Sequence, residues 1–381
     1  MFKRKYIREI YLEEINIMKV CLVYNFAQHY RTNIFTLMDK NMDIDFYFGD
    51  HYLNVKKMDY SLLTHKVTEV KNKWIGPIGW QKGVIRLLFK KYDTYIMLGE
   101  PMVLSTWIVL ILGRLFRKKI FFWTHGWYGK ETFIRAIIKK LFFSLSNGCL
   151  LYGNYAKQLM IKEGINPNKL TVIHNSLMYD KQFAIRNQLK KTTLFNSHFK
   201  NDNPTVVFIG RLTKIKKLEQ LLEAQTICKK RGFLFNVAFI GDGEMKSKLT
   251  QKAEDLNITK NVWFYGPSYN EEELSNILYN ADVCVAPGNI GLTAMHAMVY
   301  GCPCISHNDF KWQMPEFEAI RAGFTGAFFE RDNVNSLANC IENWLCNTDR
   351  ESVRHACFRE IDEEWNPHRQ LEIIKKSIGY V

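Results

Sequence analysis

The most informative part of the chain is DVCVAPGNIGLTAMHAMVYGCPCI, residues 282–305. It opens with a short apolar run, turns through a tight loop from Pro287 to Gly291, continues in a helical pattern and ends in a second apolar run. Short apolar runs bounded by turn residues are typical of strands buried in a parallel sheet. Because parallel strands need a crossover connection, the stretch predicts a strand–helix–strand unit of an α/β domain.

The same alternation of strand and helix continues on both sides of this stretch. The predicted strands of the second half are TVVFIGRL (205–212), FNVAFIGDG (235–243) and NVWFYG (261–266). Those of the first half are KVCLVYNF (19–26), IDFYFGD (44–50), TYIMLGE (94–100) and KIFFWTHG (119–126). We therefore predict an α/β protein with two Rossmann-like domains, each a doubly wound parallel sheet.

The length of 381 residues also favours two domains, since one hydrophobic core rarely grows beyond about 250–300 residues. The polar, poorly periodic segment from Asp180 to Pro204 is the predicted boundary. We expect an amino-terminal extension (1–17), a first domain (18–200), a second domain (201–360) and a final helix (361–381) that packs back on the first domain.

The basic charge belongs to the first half only. Residues 1–200 hold 32 Lys and Arg against 14 Asp and Glu, whereas residues 201–381 hold 20 against 24. This asymmetry favours an anionic partner for the first domain, either a phospholipid surface or a nucleic acid, although a merely solvated basic surface is the alternative. In FIRAIIKKLFF (133–143), apolar residues at helical spacing beside basic ones predict a helix lying on an anionic membrane. A core-facing helix with a basic edge explains the pattern equally well.

The sequence predicts a cytoplasmic protein that is peripherally associated with the inner face of the cell membrane. The first residues are charged throughout and lack the apolar core of a secretory signal. The most apolar stretch, Met102 to Leu112, is about half the roughly 20 residues needed to cross a bilayer, so we expect it to be a buried helix.

Three predicted strands of the second half run into glycine-containing loops before a helix. In open α/β sheets, ligands bind at such junctions, where helix N–H groups and fixed cations suit a diphosphate. The candidates are Gly210, Arg211 and Lys216 at the first junction, Gly241 and Gly243 at the second, and Gly291, Leu292 and Thr293 at the third. For the two cations, ordinary surface charge on an amphipathic helix is the alternative.

Taken in order, these junctions resemble the donor domain of family 4 glycosyltransferases, which have the GT-B fold of two Rossmann-like domains facing across a cleft. The resemblance runs from about Val206 to Phe329, through FIGRLTKIKKLEQLLEA, FIGDGEMKSKL, NVWFYG and GLTAMHAMVYGCPCIS. It implies that Arg211 and Lys216 bind the donor diphosphate, together with the helix start at 291–293. It also implies that the turn at Tyr265 and Gly266 lies against the nucleotide base.

The chain departs from that family at two glutamates that its members carry in this region. The second falls on His296, and the loop from Pro287 to Leu292 is shortened, so the first has no counterpart. A neutral His can hydrogen-bond a ribose hydroxyl but supplies no carboxylate. Glu316 is a further donor-side candidate, although a structural cap explains it as well.

The first domain supplies the acceptor-side candidates. The strand KIFFWTHG ends in His125 and Gly126, which resembles the His-Gly pair that the family places near the transferred sugar and the acceptor. The loop after the first strand adds Gln28, His29 and Arg31. For a lone His, a structural role is the alternative.

Together these observations predict a glycosyltransferase that moves a sugar from a UDP- or GDP-sugar to a hydroxyl acceptor, a lipid-linked or glycan precursor of a surface polysaccharide. His125, Arg211 and Lys216 are the expected catalytic residues, and the resemblance favours retention of anomeric configuration. We expect no metal and no resident cofactor, because the two cations would neutralise the leaving diphosphate. A sugar-nucleotide epimerase of similar fold is the alternative. A nucleic-acid-binding protein is disfavoured, because the chain lacks RRM, KH and zinc signatures.

Overall fold

The chain folds into two α/β domains, seen here in a computed structural model that describes residues 18–51 and 55–380. The extension predicted for residues 1–17 lies outside the described residues. Each domain has one parallel sheet, and both sheets have helices packed against them. The predicted fold class is confirmed.

Nine strands lie in the first half of the described chain. They are β1 (Val20–Tyr24), β2 (Ile44–Gly49), β3 (Val67–Val70), β4 (Asn72–Ile75), β5 (Ile78–Gln81), β6 (Thr94–Leu98), β7 (Lys119–Thr124), β8 (Gly148–Leu151) and β9 (Leu170–Val172). Seven of them form a parallel sheet in the order β3-β2-β1-β6-β7-β8-β9, while β4 and β5 form an antiparallel hairpin. The strand order reverses between β1 and β6, so the loops that follow these strands border a crevice.

The helices of the first domain are α1 (Thr32–Asn41), α2 (Leu104–Leu115), α3 (Phe133–Leu145) and α4 (Asn154–Lys162). The prediction that the apolar stretch Met102–Leu112 is a buried helix is wrong for one face of that helix. Val109 and Leu110 are buried in the core, whereas Leu104, Ile108 and Ile111 of the same helix are exposed. When a helix has apolar residues on every face, its sequence does not indicate which face packs against the sheet.

The polar segment before the second domain contains two short helices, α5 (Tyr179–Arg186) and α6 (Leu194–Phe199). Few of their residues are buried, and those include Gln182 and Arg186, so the segment has no clear apolar stripe. This explains why helical periodicity is not visible there in the sequence.

The second domain repeats the architecture of the first. Its strands are β10 (Thr205–Ile209), β11 (Asn236–Ile240), β12 (Val262–Gly266), β13 (Val283–Ala286), β14 (Cys304–His307) and β15 (Gly326–Phe329). The helices among them and after them are α7 (Glu219–Lys230), α8 (Lys246–Asp255), α9 (Glu271–Asn280), α10 (Leu292–Met298) and α11 (Val334–Asn347). The parallel sheet has the order β12-β11-β10-β13-β14-β15, so its strand order reverses between β10 and β13.

The chain returns to the first domain at its end, through α12 (Arg350–Glu363) and α13 (Pro367–Ile378). Leu371, Ile374 and Ile378 of α13 are buried in the same hydrophobic cluster as Phe35 of α1. A bidentate ion pair between Arg186 and Asp362, with nitrogen–oxygen distances of 3.0 and 2.8 Å, ties α5 to α12. The last two helices therefore connect the domains, with α12 against α10 of the second and α13 against α1 of the first.

Candidate active site

One half-buried cation and one exposed cation lie where the second sheet reverses its order. Lys216 lies in a 3-10 turn after β10, and its Nζ donates to the main-chain oxygen (2.8 Å) and the side-chain oxygen (2.9 Å) of Asn289. Burial lowers the pKa of Lys216 to about 8; the Glu316 carboxylate opposes this shift and the Arg211 charge adds to it. Arg211 is exposed. Lys216 thus contacts the loop that leads into α10.

The start of α10 lies beside the end of β10. The Thr293 hydroxyl donates to the Ile209 carbonyl over 2.9 Å, and no side chain caps the helix at Gly291. The first N–H groups of a helix have no partner within it, which leaves those at Leu292 and Thr293 suited to an anion. The predicted phosphate-binding parts therefore lie together, and their contact with a donor stays a prediction.

The loop before α10 is held in place from behind by Gln313. This buried side chain accepts a hydrogen bond from the Ile290 N–H (2.7 Å) and donates to the Ser306 hydroxyl (2.8 Å) and the His307 carbonyl (2.9 Å). An amide with three satisfied bonds fixes the course of a loop that has no regular structure of its own.

The glycines after β10 and β11 allow two loops to pack closely. Gly210 and Gly241 have φ angles of +142° and +144°, and a Cβ at Gly241 would lie 1.9 Å from the Gly210 carbonyl oxygen. A Cβ at Gly243 would lie 2.4 Å from the Leu212 carbonyl oxygen. Packing alone accounts for glycine at these positions, and donor contacts at Gly241 and Gly243 remain predictions.

Glu316 lies beside the start of α10, facing both domains. Its Oε1 accepts a hydrogen bond from Asn175 Nδ2 (2.8 Å), whereas Oε2 is buried without a partner and lies 3.8 Å from the position of a Cβ built on Gly291. Burial raises the pKa of Glu316, while the positive charges of Arg31 and Lys216 oppose the rise. Residues of both domains therefore converge on this carboxyl group.

His296 contacts a carboxylate that the sequence does not reveal. Its Nε2 lies 3.0 Å from Oε1 of Glu271, the first residue of α9, and the same oxygen accepts from Tyr300 (2.7 Å) and Gln182 (2.9 Å). Chiefly through these hydrogen bonds and the His296 charge, the pKa of Glu271 falls to about 2 despite burial. In the sequence, Glu271 is only the first of three glutamates at a helix start, which by itself indicates a favourable helix dipole.

Tyr265 and Gly266 of the predicted base-binding turn are the last two residues of the edge strand β12. The Tyr265 hydroxyl donates to Glu273 over 3.3 Å, and the Tyr265 ring lies 5.1 Å from the Trp263 ring. Gly266 has a φ angle of +94° and its carbonyl accepts the N–H of Gly241 (2.8 Å). The turn is thus connected to the loop after β11.

In the first domain, His125 directly follows β7 and is half-buried. Its Nδ1 has no hydrogen-bond partner, and burial together with the charges of Arg31 and Lys139 lowers the pKa of His125 to about 4. Gly126, with a φ angle of +67°, turns the chain directly after it. At neutral pH His125 is therefore an uncharged imidazole.

His125 borders the cleft between the domains. A cavity of about 20 Å³ lies there, lined from the first domain by His125 and Gly153 and from the second by Gln313, Pro315 and Glu318, among others. Glu318 accepts hydrogen bonds from the N–H groups at the start of α4, Asn154 (2.7 Å) and Tyr155 (2.6 Å). This carboxyl group joins the two domains and caps a helix across their boundary.

The loop after β1 contributes two buried side chains and one exposed side chain. Gln28 and Arg31 are buried, and Gln28 Oε1 has no partner. His29 is exposed. Arg31 donates from Nη2 to the Tyr152 hydroxyl (2.5 Å), a contact between residues 121 positions apart. Tyr152, which follows β8, has no pattern in the sequence that marks it.

The described residues contain no group of three or more His, Cys, Asp or Glu side chains that could hold a metal. The triplet Asp43-Ile44-Asp45 lies at the amino end of β2, away from the cleft, where Lys19 approaches both acids within 3.8 Å. In the same described part of the chain, every helix is too short or too polar to cross a bilayer.

Comparison with known proteins finds a match to a family model in the second half of the chain. Residues 190–357 match the family model described as glycosyl transferases group 1. Among curated proteins, the chain is 25% identical over 199 residues to an uncharacterized 41.2 kDa protein in the cps region of Klebsiella pneumoniae, and the match covers 51% of each chain. The chain thus spans about half the length of this relative.

Solved structures show the same fold over nearly the whole chain. The lipopolysaccharide outer core galactosyltransferase WaaB superposes with a TM-score of 0.70 at 14% identity, covering 95% of this chain and 99% of that one. Anabaena Alr3699/HepE in complex with UDP gives a TM-score of 0.70 at 13% identity, covering 96% and 100%. Residues 190–357 therefore resemble the group 1 glycosyl transferases, and the chain has a two-domain fold of the GT-B type.

Proposed function

We propose that this protein is a glycosyltransferase that moves a sugar from a nucleotide sugar to a hydroxyl acceptor. The observation that carries the proposal is the position of Lys216, a half-buried cation beside Arg211 and the uncapped start of α10. Negative charge develops on the leaving diphosphate as the glycosidic bond breaks, and fixed positive charge there lowers the barrier. The solved UDP complex of Anabaena HepE, which shares the fold, supports a uridine nucleotide as the first ligand to test.

The site residues have separate roles in this proposal. Arg211, Lys216 and the N–H groups of Leu292 and Thr293 bind the diphosphate without a metal. The Glu271–His296 pair lies between these groups and the turn at Tyr265, which suits a ribose hydroxyl. His125 and Glu316 face the sugar from opposite domains. Retention of anomeric configuration is part of the proposal, because the group 1 resemblance favours it.

A melting-temperature screen tests the donor site. UDP, GDP and ADP, with their glucose conjugates, are added to the parent protein and to Lys216→Ala and Arg211→Ala. The control is Lys217→Ala, which removes a neighbouring lysine that is paired with Asp332. We expect one nucleotide series to raise the melting temperature of the parent and of the control, and to lose most of its effect on the two other variants. Equal responses in all four proteins would refute the assigned donor site.

The acceptor is proposed to be membrane-bound, because the first domain has a large exposed apolar surface. Sixteen of the twenty-three exposed large apolar side chains of the described residues lie between Trp74 and Leu141. We call this surface the apolar face; it consists of the β4–β5 hairpin, Phe89, α2 and α3. α2 contacts β5, α3 and the 3-10 turn that contains Phe89, so these elements are neighbours.

Charge and exposure favour an anionic bilayer over a nucleic acid at the apolar face. Residues 72–141 carry 13 Lys and Arg against 3 Asp and Glu. On α3, Phe133, Ile134 and Ile137 are 80%, 68% and 52% exposed. Inserting such side chains into the acyl region gains about 1 kcal/mol or more each, whereas phosphate groups of a nucleic acid offer them nothing. The lipopolysaccharide outer core galactosyltransferase WaaB shares the fold, and this supports the proposal that the acceptor is a surface glycolipid.

Vesicle flotation tests the membrane proposal. The protein is mixed with phosphatidylcholine vesicles containing 0 or about 30% phosphatidylglycerol, in low and high salt. We expect flotation with the anionic vesicles, weakened by salt and abolished by Ile134→Glu with Ile137→Glu. Phe324→Glu is the matched control, since Phe324 is 67% exposed in the second domain. Flotation of the double variant, or a failure of the parent to float, would exclude the apolar face as a membrane site.

A product assay separates transfer from epimerisation. Incubation of the active nucleotide sugar with and without a membrane extract as acceptor source distinguishes the two reactions. A transferase needs the acceptor to consume the sugar, and NMR of the product reports its anomeric configuration. Release of an epimer without any acceptor would overturn the proposal.

A further inference from the structure

The loop after β1 buries a guanidinium group that has no acidic partner. Arg31 is 5% exposed, and only its Nη2 has a hydrogen-bond acceptor, the Tyr152 hydroxyl at 2.5 Å. Nε and Nη1 are both buried without an acceptor. Among the described residues, no carboxylate lies within ion-pair distance of Arg31. Most buried cations in proteins are paired, so this group needs an explanation.

Aromatic rings surround Arg31 but do not balance its charge. The guanidinium carbon lies 5.2, 5.4 and 5.3 Å from the ring centres of Tyr24, Trp123 and Tyr152. Burial raises the pKa of Tyr152 well above its ordinary value, so its phenol is neutral. The rings attract the cation, yet such attraction is weaker than the desolvation that an unpaired buried ion suffers.

Arg31 lies close enough to residues of the interdomain cleft for its charge to affect them. Its charge acts on His125 in the first domain and on Glu316 in the second. Glu316 is not its ion-pair partner: one carboxyl oxygen is bonded to Asn175, and burial favours the protonated form. The side-chain oxygens of Asn25 and Gln28, in the same loop as Arg31, are also buried without partners.

We propose that Arg31 anchors a subsite for an oxyanion carried by a sugar substrate, a carboxylate or phosphate separate from the diphosphate of the donor. Nε and Nη1 each lie next to Nη2, on different edges of the guanidinium plane, so one of them together with the second hydrogen of Nη2 matches the two oxygens of such a group. Unpartnered oxygens of Asn25 and Gln28 would accept from hydroxyls of the same substrate. This inference rests on the proposed function, because it adds a substrate charge to the same cleft.

A neutral sugar would satisfy the hydrogen bonds of Arg31 but would leave its charge unbalanced. Only an anion relieves the electrostatic cost of burying the guanidinium, so the subsite selects for charge. The cavity of about 20 Å³ beside His125 admits a water molecule and no sugar. A sugar bound at Arg31 therefore requires a wider cleft than the one in this structure.

Separate binding measurements with inorganic phosphate and with UDP distinguish this subsite from the donor site. Phosphate is titrated calorimetrically into Lys216→Ala, in which the diphosphate site is disabled, and into Lys216→Ala with Arg31→Gln. We expect phosphate to bind the first protein and to bind the second about tenfold to a hundredfold more weakly, the effect of losing a charge-assisted hydrogen-bond pair. UDP should bind Arg31→Gln like the parent, which also shows that this variant folds.

Two further variants exclude a purely structural role for Arg31. Arg31→Lys keeps the charge and should keep part of the phosphate affinity. Tyr152→Phe removes the one hydrogen bond of Arg31 and should leave phosphate binding within about twofold of its value. Equal phosphate binding with and without Arg31, or none in Lys216→Ala, overturns the subsite. Absence of UDP binding to the parent would instead count against the proposed function.

Paired ligands then identify which substrate carries the charge. UDP-glucuronate is compared with UDP-glucose, and methyl glucuronide with methyl glucoside in the presence of UDP. A preference for the acid in the first pair assigns the oxyanion to the donor sugar, and a preference in the second pair assigns it to the acceptor. Either preference must vanish in Arg31→Gln. If neither acid is preferred, inorganic phosphate binding at Arg31 is not substrate recognition and the proposal fails.

Discussion

Nucleotide binding should weaken as the pH rises through 8, because the cation at the centre of the site titrates there. Burial lowers the pKa of Lys216 to about 8 in the free protein. Its ordinary value is about 10.4, so most lysines stay charged across this range. A bound diphosphate favours the charged form and raises this pKa again. The affinity for the diphosphate therefore depends on the protonated fraction of the free protein.

The magnitude follows from the protonated fraction of Lys216. With a pKa of about 8, that fraction is about nine-tenths at pH 7 and about one-tenth at pH 9. The Kd for UDP should consequently rise about tenfold between these pH values if binding needs the charged lysine. Isothermal titration calorimetry at pH 7, 8 and 9 measures this rise directly.

Lys216→Arg is the control, since arginine stays charged throughout this range. Its Kd for UDP should change much less between pH 7 and pH 9, and any change that remains reports titration of the ligand or of other groups. A parent protein whose Kd changes no more than that of Lys216→Arg would refute the reasoning. In that case Lys216 either is not perturbed or does not meet the diphosphate.

Three further predictions concern single residues around the cleft. Gln313→Leu leaves the Ile290 N–H without its partner and frees the loop before α10, so we expect the Kd for UDP to rise about tenfold with little change in circular dichroism. Glu318→Ala removes the cap of α4 and should lower the free energy of unfolding by about 1–2 kcal/mol in a urea titration; Glu318→Asp should recover part of this loss. Lys216→Met should abolish UDP binding and raise the melting temperature. The depressed pKa means that the charged form of Lys216, which prevails below pH 8, lowers the stability of the folded protein. The gain in stability of Lys216→Met over the parent should shrink as the pH rises from 8 to 10. In this range the lysine is protonated in the unfolded parent but not in the folded parent, so the parent becomes more stable as the pH rises.

The sheets and the loops proposed to bind phosphate were accessible from the sequence because they depend on local patterns. Apolar runs of strand length, each followed by glycine and a helical pattern, define β10, β11 and β13 and place Arg211 and Thr293 at one edge of the sheet. The periodicity of FIRAIIKKLFF likewise predicts α3, whose bounds are Phe133–Leu145. These signals lie within about 15 residues of the features they predict.

Contacts between distant parts of the chain were not accessible in this way. The Glu271–His296 contact joins two helices 25 residues apart, and Arg31 meets Tyr152 across 121 residues. The periodicity of a helix does not indicate which residues of another helix it contacts once the sheet has formed. The replacement of the second family glutamate by His296 suggested that a carboxylate is missing at this position, yet Glu271 of another helix supplies one beside it. Only the packing of α9 against α10 reveals it.

The exposure of the apolar face was also ambiguous in the sequence. A stripe of Ile, Leu and Phe at helical spacing is equally compatible with a core-facing helix and with one that presents its apolar side outward. In the structure, Phe142 and Phe143 of α3 are buried, whereas Ile134 and Ile137 are exposed. Burial depends on which side of the helix the sheet occupies, and this is a property of the assembled domain.

We infer that the start of α10, Arg211 and Lys216 together bind the diphosphate of a nucleotide sugar. A crystal structure of the protein with the nucleotide selected by the melting-temperature screen tests it most directly. We predict that the β-phosphate lies within hydrogen-bond distance of Lys216 Nζ and of the N–H groups at Leu292 and Thr293, with the base beside Tyr265. A nucleotide bound elsewhere on the protein, or phosphates held without Lys216, would contradict the account.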